Sequence, residues 1–411
     1  MVASHIRILH GGDFHLGRPI DGVQFAHADL RKSLIDAPYD AVTRMVESAV
    51  VENAEAVVLS GNIIDPRNCG GYALSFLIEQ FDVLAEQQIP VFWALGSEDR
   101  VSHWPALPQF PSNVEVFPSA AWKRHLLDCD GFTVEVAGRS WNSGGLAAER
   151  SWPAQSADDR PLVVVATIHP AEIPSSAQGS VWALGGSDAS SVHQQGRPQI
   201  CFCGTPQQRV PGPACRGGAT WLQISADGGV ICERLEAAPA NWIDRDLSIE
   251  LGGATDLGSA CAAAIDSDLA ELSRQATQTD TDVSLWLIRY LLKGLDSESA
   301  WRVQDPECRL EILGNVEPKN VVSGRGLMAV ACLEAELSAG SGSDAEAGTM
   351  LGDLLSRLGK CTTTSLAQPQ SYFDDNEPAP WWADAKRLDP TEIAEHARHW
   401  SVIALGKSDD A

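Results

Sequence analysis

Positive charge is scarce in this sequence beside negative charge. Its 411 residues carry 30 Lys and Arg against 55 Asp and Glu, a net charge of −25. A chain so acidic has no global basic footprint for nucleic acid, so any contact with a phosphate backbone has to be local or supplied by a partner. CxxC pairs are absent, which leaves zinc-ribbon and thioredoxin-type sites without support. The ten cysteines lie singly apart from Cys201 and Cys203, a pattern that suits free thiols in a reducing cytosol better than a disulfide scaffold. No apolar run approaches membrane-spanning length, and the opening stretch "MVASHIRILHGGD" enters a strand without the apolar segment of a signal peptide. A cytoplasmic protein without membrane contact is expected. Internal repeats are also absent.

What is present is an apolar fraction of 44%, enough for real cores, and a length that allows one large domain with one or two smaller ones. The first part alternates strand and helix. "HIRILH" ends at Gly11-Gly12, residues 39–54 place Ala41, Met45, Ala49 and Val50 at helical spacing, and "AVVLS" is a short buried strand. A second helix over 72–88 and a third strand, "IPVFWAL", follow. This alternation predicts an α/β sheet with ligand loops at the strand ends. Strand-rich sequence then runs to Pro239, beyond which a small α+β domain is expected over 240–337. "SAGSGSDAEAG" reads as a flexible linker, leading into a helical carboxy-terminal extension over 338–411 that contains Trp381-Trp382.

Residues able to bind metal recur at the ends of the strands: Asp13 and His15 after the first, Asn62 and Asp65 after the second, Glu98 and Asp99 after the third. His169 ends "VVVATIH", and Asp188 follows "VWALGGS". Taken singly, a strand-terminal Asp is a turn or cap residue and a lone His a hydrogen-bonded core residue. Their recurrence at one end of several strands points to a shared site.

"ILHGGDFHLG" resembles the first motif of the calcineurin-like metallophosphoesterases, a DxH following a strand, and the order of the later motifs resembles the SbcD-type DNA repair exonuclease group. "VVLSGNIID" stands where that group has GDxxD, "IPVFWALGSED" where it has GNHD, and "VWALGGSD" where it has ALGHxH; "VATIHP" matches its lone-His strand, and "GTPQQR" its G(S/T)PQxR loop. The resemblance covers residues 5–237 collinearly. It implies a β-sandwich flanked by helices over residues 1–239, with the 240–337 segment in the place of the family's small capping domain.

The same resemblance implies a two-metal site, and here the chain departs from it. Asp13, His15 and His169 match the family's ligands. Asn62 replaces the bridging Asp, Ser97 the Asn of GNHD, Glu98 its positioning His, and Gly186 and Asp188 the two histidines of GHxH. Two divalent cations ~3.5–4 Å apart repel by roughly 15–20 kcal/mol at an effective dielectric of ~20, and an anionic bridge is a main reason they coexist. A carboxamide offers one neutral oxygen. The second metal position keeps only His169, because Gly186 has no side chain and Ser97 is a poor ligand. The first keeps Asp13, His15 and Asp188 with the Asn62 oxygen, a set suited to one Mn²⁺ or Mg²⁺. Glu98 is a candidate general base, but an anion there opposes phosphate docking.

Two functions from different classes follow. One is a catalytically impaired SbcD-like protein, a binding or regulatory subunit in DNA metabolism. The other is an active single-metal phosphoesterase on a small or unusual phosphodiester. A scaffold that only binds protein is a third. Active relatives work with a coiled-coil ABC ATPase subunit, so the resemblance offers that partner, and DNA, with no support for DNA from the net charge. His103 and His193 fall on no family position and read as surface histidines.

Overall fold

The computed structural model describes residues 5–24, 28–106, 108–129, 131–142, 152–153, 158–168, 173, 178–193, 198–212, 217–251, 256–275, 283–320 and 326–336. The expected linker, the tail helices and Trp381-Trp382 lie outside these residues, as does His169. The chain divides into two compact units. The first holds residues 1–247, 258–291 and 310–333, the second 248–257, 292–309 and 334–411.

In the first unit, β1 (His5–Gly12), β2 (Ala56–Gly61), β3 (Val91–Leu95) and β4 (Val114–Val116) run parallel. On the free side of β1, β11 (Gly218–Ser225) and β12 (Val230–Glu236) add antiparallel, giving the order β12-β11-β1-β2-β3-β4. A second six-stranded sheet has the order β5-β6-β7-β8-β10-β9. Its strands are β5 (Lys123–Cys129), β6 (Phe132–Arg139), β7 (Leu162–Thr167), β8 (Val181–Gly185), β9 (Ser191–His193) and β10 (Gln199–Phe202). From β6 to β10 its neighbours pair in parallel.

The two sheets face one another. Ile6, Ile8, Ala56, Val58, Phe92 and Ala94 of the first pack against Val134, Val136, Val163, Val165, Val181 and Ala183 of the second. The alternate residues of the first sheet, Leu9, Val57, Leu59, Val91, Trp93 and Leu95, meet α1 (Ala28–Val51) and α2 (Gly70–Glu86). Side chains on a strand alternate in direction, so a strand covered on both faces turns none of them to water. "AVVLSG" of β2 is accordingly buried along its whole length.

A third sheet orders β13 (Ala240–Ser248), β14 (Leu285–Lys293), β16 (Leu327–Ala335) and β15 (Lys319–Asn320) as β13-β14-β16-β15. Trp242, Leu285, Leu287, Ala329 and Ala331 form its core with Leu30, Leu34 and Ala37 of α1. That contact explains why α1 begins well before the helix expected over 39–54 and passes through Pro38. Its first half serves the third sheet and its second half, through Val42, Met45, Val46 and Ala49, serves the first sheet. Tertiary burial there outweighs the hydrogen bond that a mid-helix proline removes. α3 (Leu257–Gln275) and α5 (Pro306–Gly314) flank these strands in sequence. In the second unit, α4 (Ser297–Gln304) is capped by Asp296, whose carboxylate accepts from Ser299 N at 2.7 Å.

Candidate functional site

The carboxy ends of β1, β2, β3 and β8 meet on one edge of the sandwich, and the loops leaving them carry the candidate residues. Asp13 is at the centre. Its Oδ1 accepts from Asn62 N at 2.9 Å, and its Oδ2 from Gly186 N at 2.7 Å and Ser187 N at 3.3 Å. One carboxylate therefore ties together the loops after β1, β2 and β8. The loop after β1 is strained to do it. Asp13 (φ 47°) and His15 (φ 49°) both occupy the left-handed region, which costs about 1–3 kcal/mol each outside glycine. Gly61 answers the carboxylate from the other side: a Cβ there would collide with Asp13. Gly96 does the same for Asn62, whose Oδ1 occupies the space of the missing side chain.

Burial raises the Asp13 pKa to about 6, against the lowering effect of its backbone donors and of His15. His15 lies between two further carboxylates, with Nδ1 3.2 Å from Glu98 and Nε2 3.4 Å from Asp188. Burial alone would depress this imidazole, but Asp188 and Glu98 overcome it and raise its pKa to about 9. Arg18 extends the network, 2.8 Å from Glu98 and 3.5 Å from Asp65, and Arg67 closes on Asp65 at 3.2 Å. Glu98 is lowered: burial opposes ionisation, and His15 and Arg18 outweigh it.

The loops are held by residues behind the pocket. Buried Asp99 accepts from Ile63 N at 2.9 Å and Gly96 N at 2.5 Å, and burial raises its pKa to about 8. Thr167 at the end of β7 accepts from Gly61 N at 2.8 Å. His103, expected on the surface, is half-buried beneath the Glu98 loop, 2.6 Å from Glu98 O; His193 is exposed. In "GTPQQR" the buried Gln207 exchanges hydrogen bonds with the Ala240 backbone (2.7 and 3.2 Å), and Arg209 pairs with Asp21 at 2.6 Å. That loop is engaged in joining segments of the fold.

Asp13, His15, Asn62, Ser97, Glu98, Gly186 and Asp188 are thus brought together, while His169 lies outside the described residues. Arg18 and Thr167 were not anticipated. Arg18 carried a usable signal, a rare cation within "DFHLGR"; Thr167, inside an apolar strand, carried none.

The donors of this pocket do not fit two metal ions. The Asn62 Oδ1 accepts from Glu98 N at 3.0 Å and Ser97 Oγ at 3.4 Å, so the one oxygen it could offer is committed. With a carboxylate on each nitrogen His15 favours the protonated imidazolium, and a cation has to displace that proton to reach a lone pair. Among the described residues no group of three or more His, Cys, Asp or Glu side chains is arranged to hold a metal. His15 and Arg18 stand among the acids of the pocket.

No protein-family model matches the chain. A curated relative does match: an uncharacterized metallophosphoesterase, YhaO, of Bacillus subtilis (strain 168), 28% identical over 118 residues. Over that stretch the chain is similar to a metallophosphoesterase. The match spans 28% of this chain and 29% of the relative's length. The architecture described above is mixed α/β, with both parallel and antiparallel strand pairs. Among solved structures, TT1561 of Thermus thermophilus is 14% identical, with 56% of this chain and 99% of that one covered at a TM-score of 0.32. GAP50, the anchor in the inner membrane complex of Plasmodium, is 12% identical, with 57% and 85% covered at a TM-score of 0.35. Neither superposition is close enough to bear on function. Among the described residues no helix is long and apolar enough to cross a membrane.

Proposed function

We propose that this chain is a calcineurin-like metallophosphoesterase of the SbcD type whose catalytic centre is impaired, serving as a binding or regulatory subunit in DNA metabolism. The observation that carries this is the Asn62 carboxamide. It stands where the family has a bridging carboxylate, brings no charge to hold two cations together, and spends its oxygen on the Glu98 N–H at 3.0 Å. At most one divalent ion, Mn²⁺ or Mg²⁺, would be held by Asp13, His15 and Asp188 with the Asn62 oxygen. To bind, it must displace the proton of His15, break its contact with Glu98 and compete with Glu98 N and Ser97 Oγ for the Asn62 oxygen. DNA and a coiled-coil ABC ATPase subunit are the partners that the family resemblance offers, and a cytoplasmic location goes with them.

The test is Mn²⁺-dependent nucleotide release from a duplex end, with a bis-aryl phosphodiester as a small substrate, against an Asp13→Ala/His15→Ala control. We expect no activity above the control on either substrate. One observation favours a second proposal, an active single-metal phosphoesterase: the Asp188 side chain is 61% exposed beside His15, so this corner of the pocket is open to solvent. Robust turnover by the unmodified protein would establish that function and overturn the first.

A further inference from the structure

Strands β10 and β12 belong to different sheets, and each points one cysteine into the space between them. Cys201 on β10 is fully buried in the inter-sheet core. Cys232 lies on β12, at the edge of the first sheet, and packs half-buried against the same core. Both side chains pack on the same inter-sheet core, and neither is in a disulfide. Gln199 fixes their approach. Its Oε1 accepts from Cys232 Sγ at 3.3 Å, and its Nε2 donates to Val230 O at 2.8 Å. The side chain of one strand thereby latches the start of the other beside the sulfur pair.

We propose that Cys201 and Cys232 are a redox-sensitive pair that closes into a reversible disulfide, stapling the two sheets together, when the chain meets a small-molecule disulfide. The asymmetry of the pair sets the order of events. The neighbouring Cys201 lowers the Cys232 pKa, against burial, and Cys232 together with burial raises that of Cys201. Cys232 is half-exposed where Cys201 is fully buried, so its sulfur is the one the reagent reaches, and on losing its proton it is the nucleophile. It attacks RS–SR, forms a mixed disulfide and expels one RS⁻. Cys201 then attacks the Cys232 sulfur from inside, expelling the second RS⁻ and giving up its proton. Two protein thiols are oxidised to one disulfide, and one RS–SR is reduced to two RSH. The staple closes residues 201–232 into a loop that includes "GTPQQR". It is independent of any metal at Asp13.

The experiment incubates the full chain with oxidised glutathione, then maps disulfides by peptide mass spectrometry under non-reducing conditions. We expect a Cys201–Cys232 cross-link that dithiothreitol reverses. Unfolding should shift upward by about 5 °C, the order expected for closing a loop of this length. Cys232→Ala should abolish the cross-link. Cys201→Ala should instead leave one glutathione on Cys232, because the resolving thiol is gone. If wild-type protein keeps both cysteines reduced, or pairs either with a different cysteine, the proposal fails, and this holds even if the buried-site variant does not fold.

Discussion

Replacing Asp13 by Asn keeps the size of the side chain and a residue type that tolerates the left-handed backbone at φ 47°. It removes half of the accepting capacity. The native carboxylate serves Asn62 N at 2.9 Å on one oxygen, and Gly186 N at 2.7 Å and Ser187 N at 3.3 Å on the other. An amide has one oxygen. Whichever way it turns, its NH₂ group faces at least one backbone N–H, and a buried donor left unpaired costs about 1–3 kcal/mol. The bonds that remain lose their charge assistance. Relief comes from no longer burying an anion, whose cost shows in the pKa raised to about 6. We predict a net loss of about 2–3 kcal/mol for Asp13→Asn, read as a lower urea midpoint in EDTA. A ligand held in strain for an absent cation behaves in the opposite way, because its removal relieves a site organised for function. A variant as stable as the wild type, or more so, in EDTA would refute the claim that Asp13 holds the loops together without metal.

Three further outcomes are expected. His10 is fully buried against Ser60, and burial lowers its pKa to about 3. The unfolded chain therefore takes up this proton first, and stability falls as pH drops from about 6.5 toward 3. His10→Gln should flatten that acid limb by up to about 1.4 kcal/mol per pH unit, and parallel curves for the two proteins would contradict it. Gly61→Ala should destabilise by more than the roughly 1–2 kcal/mol of a left-handed backbone alone, because its Cβ meets the Asp13 carboxylate; an unchanged melting temperature would argue against that packing. Asn62→Asp alone should restore no Mn²⁺-dependent nuclease activity, since Ser97, Glu98 and Gly186 remain and residues acting as one site are non-additive. Activity gained by this single change would show that the bridge was the one missing part.

The layers of the first sheet were readable because burial on two faces writes itself into sequence. "AVVLSG" and "VFWAL" are apolar nearly throughout, with glycine marking each strand end. The start of α1 was not readable, because Leu30, Leu34 and Ala37 face the third sheet, a partner far along the chain, and Pro38 reads as a stop. At the site, residue identity disclosed the altered positions, since an Asn for an Asp is visible in the letters. What took their place was not visible. The contact of Arg18 with Glu98 joins segments far apart in sequence, and the bonds to Asp13 come from backbone N–H groups, which every residue but proline carries. The grip of Arg67 and Asn68 on Asp65 is local, and it too looks like an ordinary turn in sequence.

Metal stoichiometry tests the impaired-centre claim most directly. Purified protein is dialysed against Mn²⁺, freed of excess ion and assayed for bound metal, with Asp13→Ala beside it. At most one equivalent per chain is predicted, absent from the variant. Two equivalents held with micromolar or tighter affinity would contradict the account, because Asn62 would then be no obstacle to a second cation.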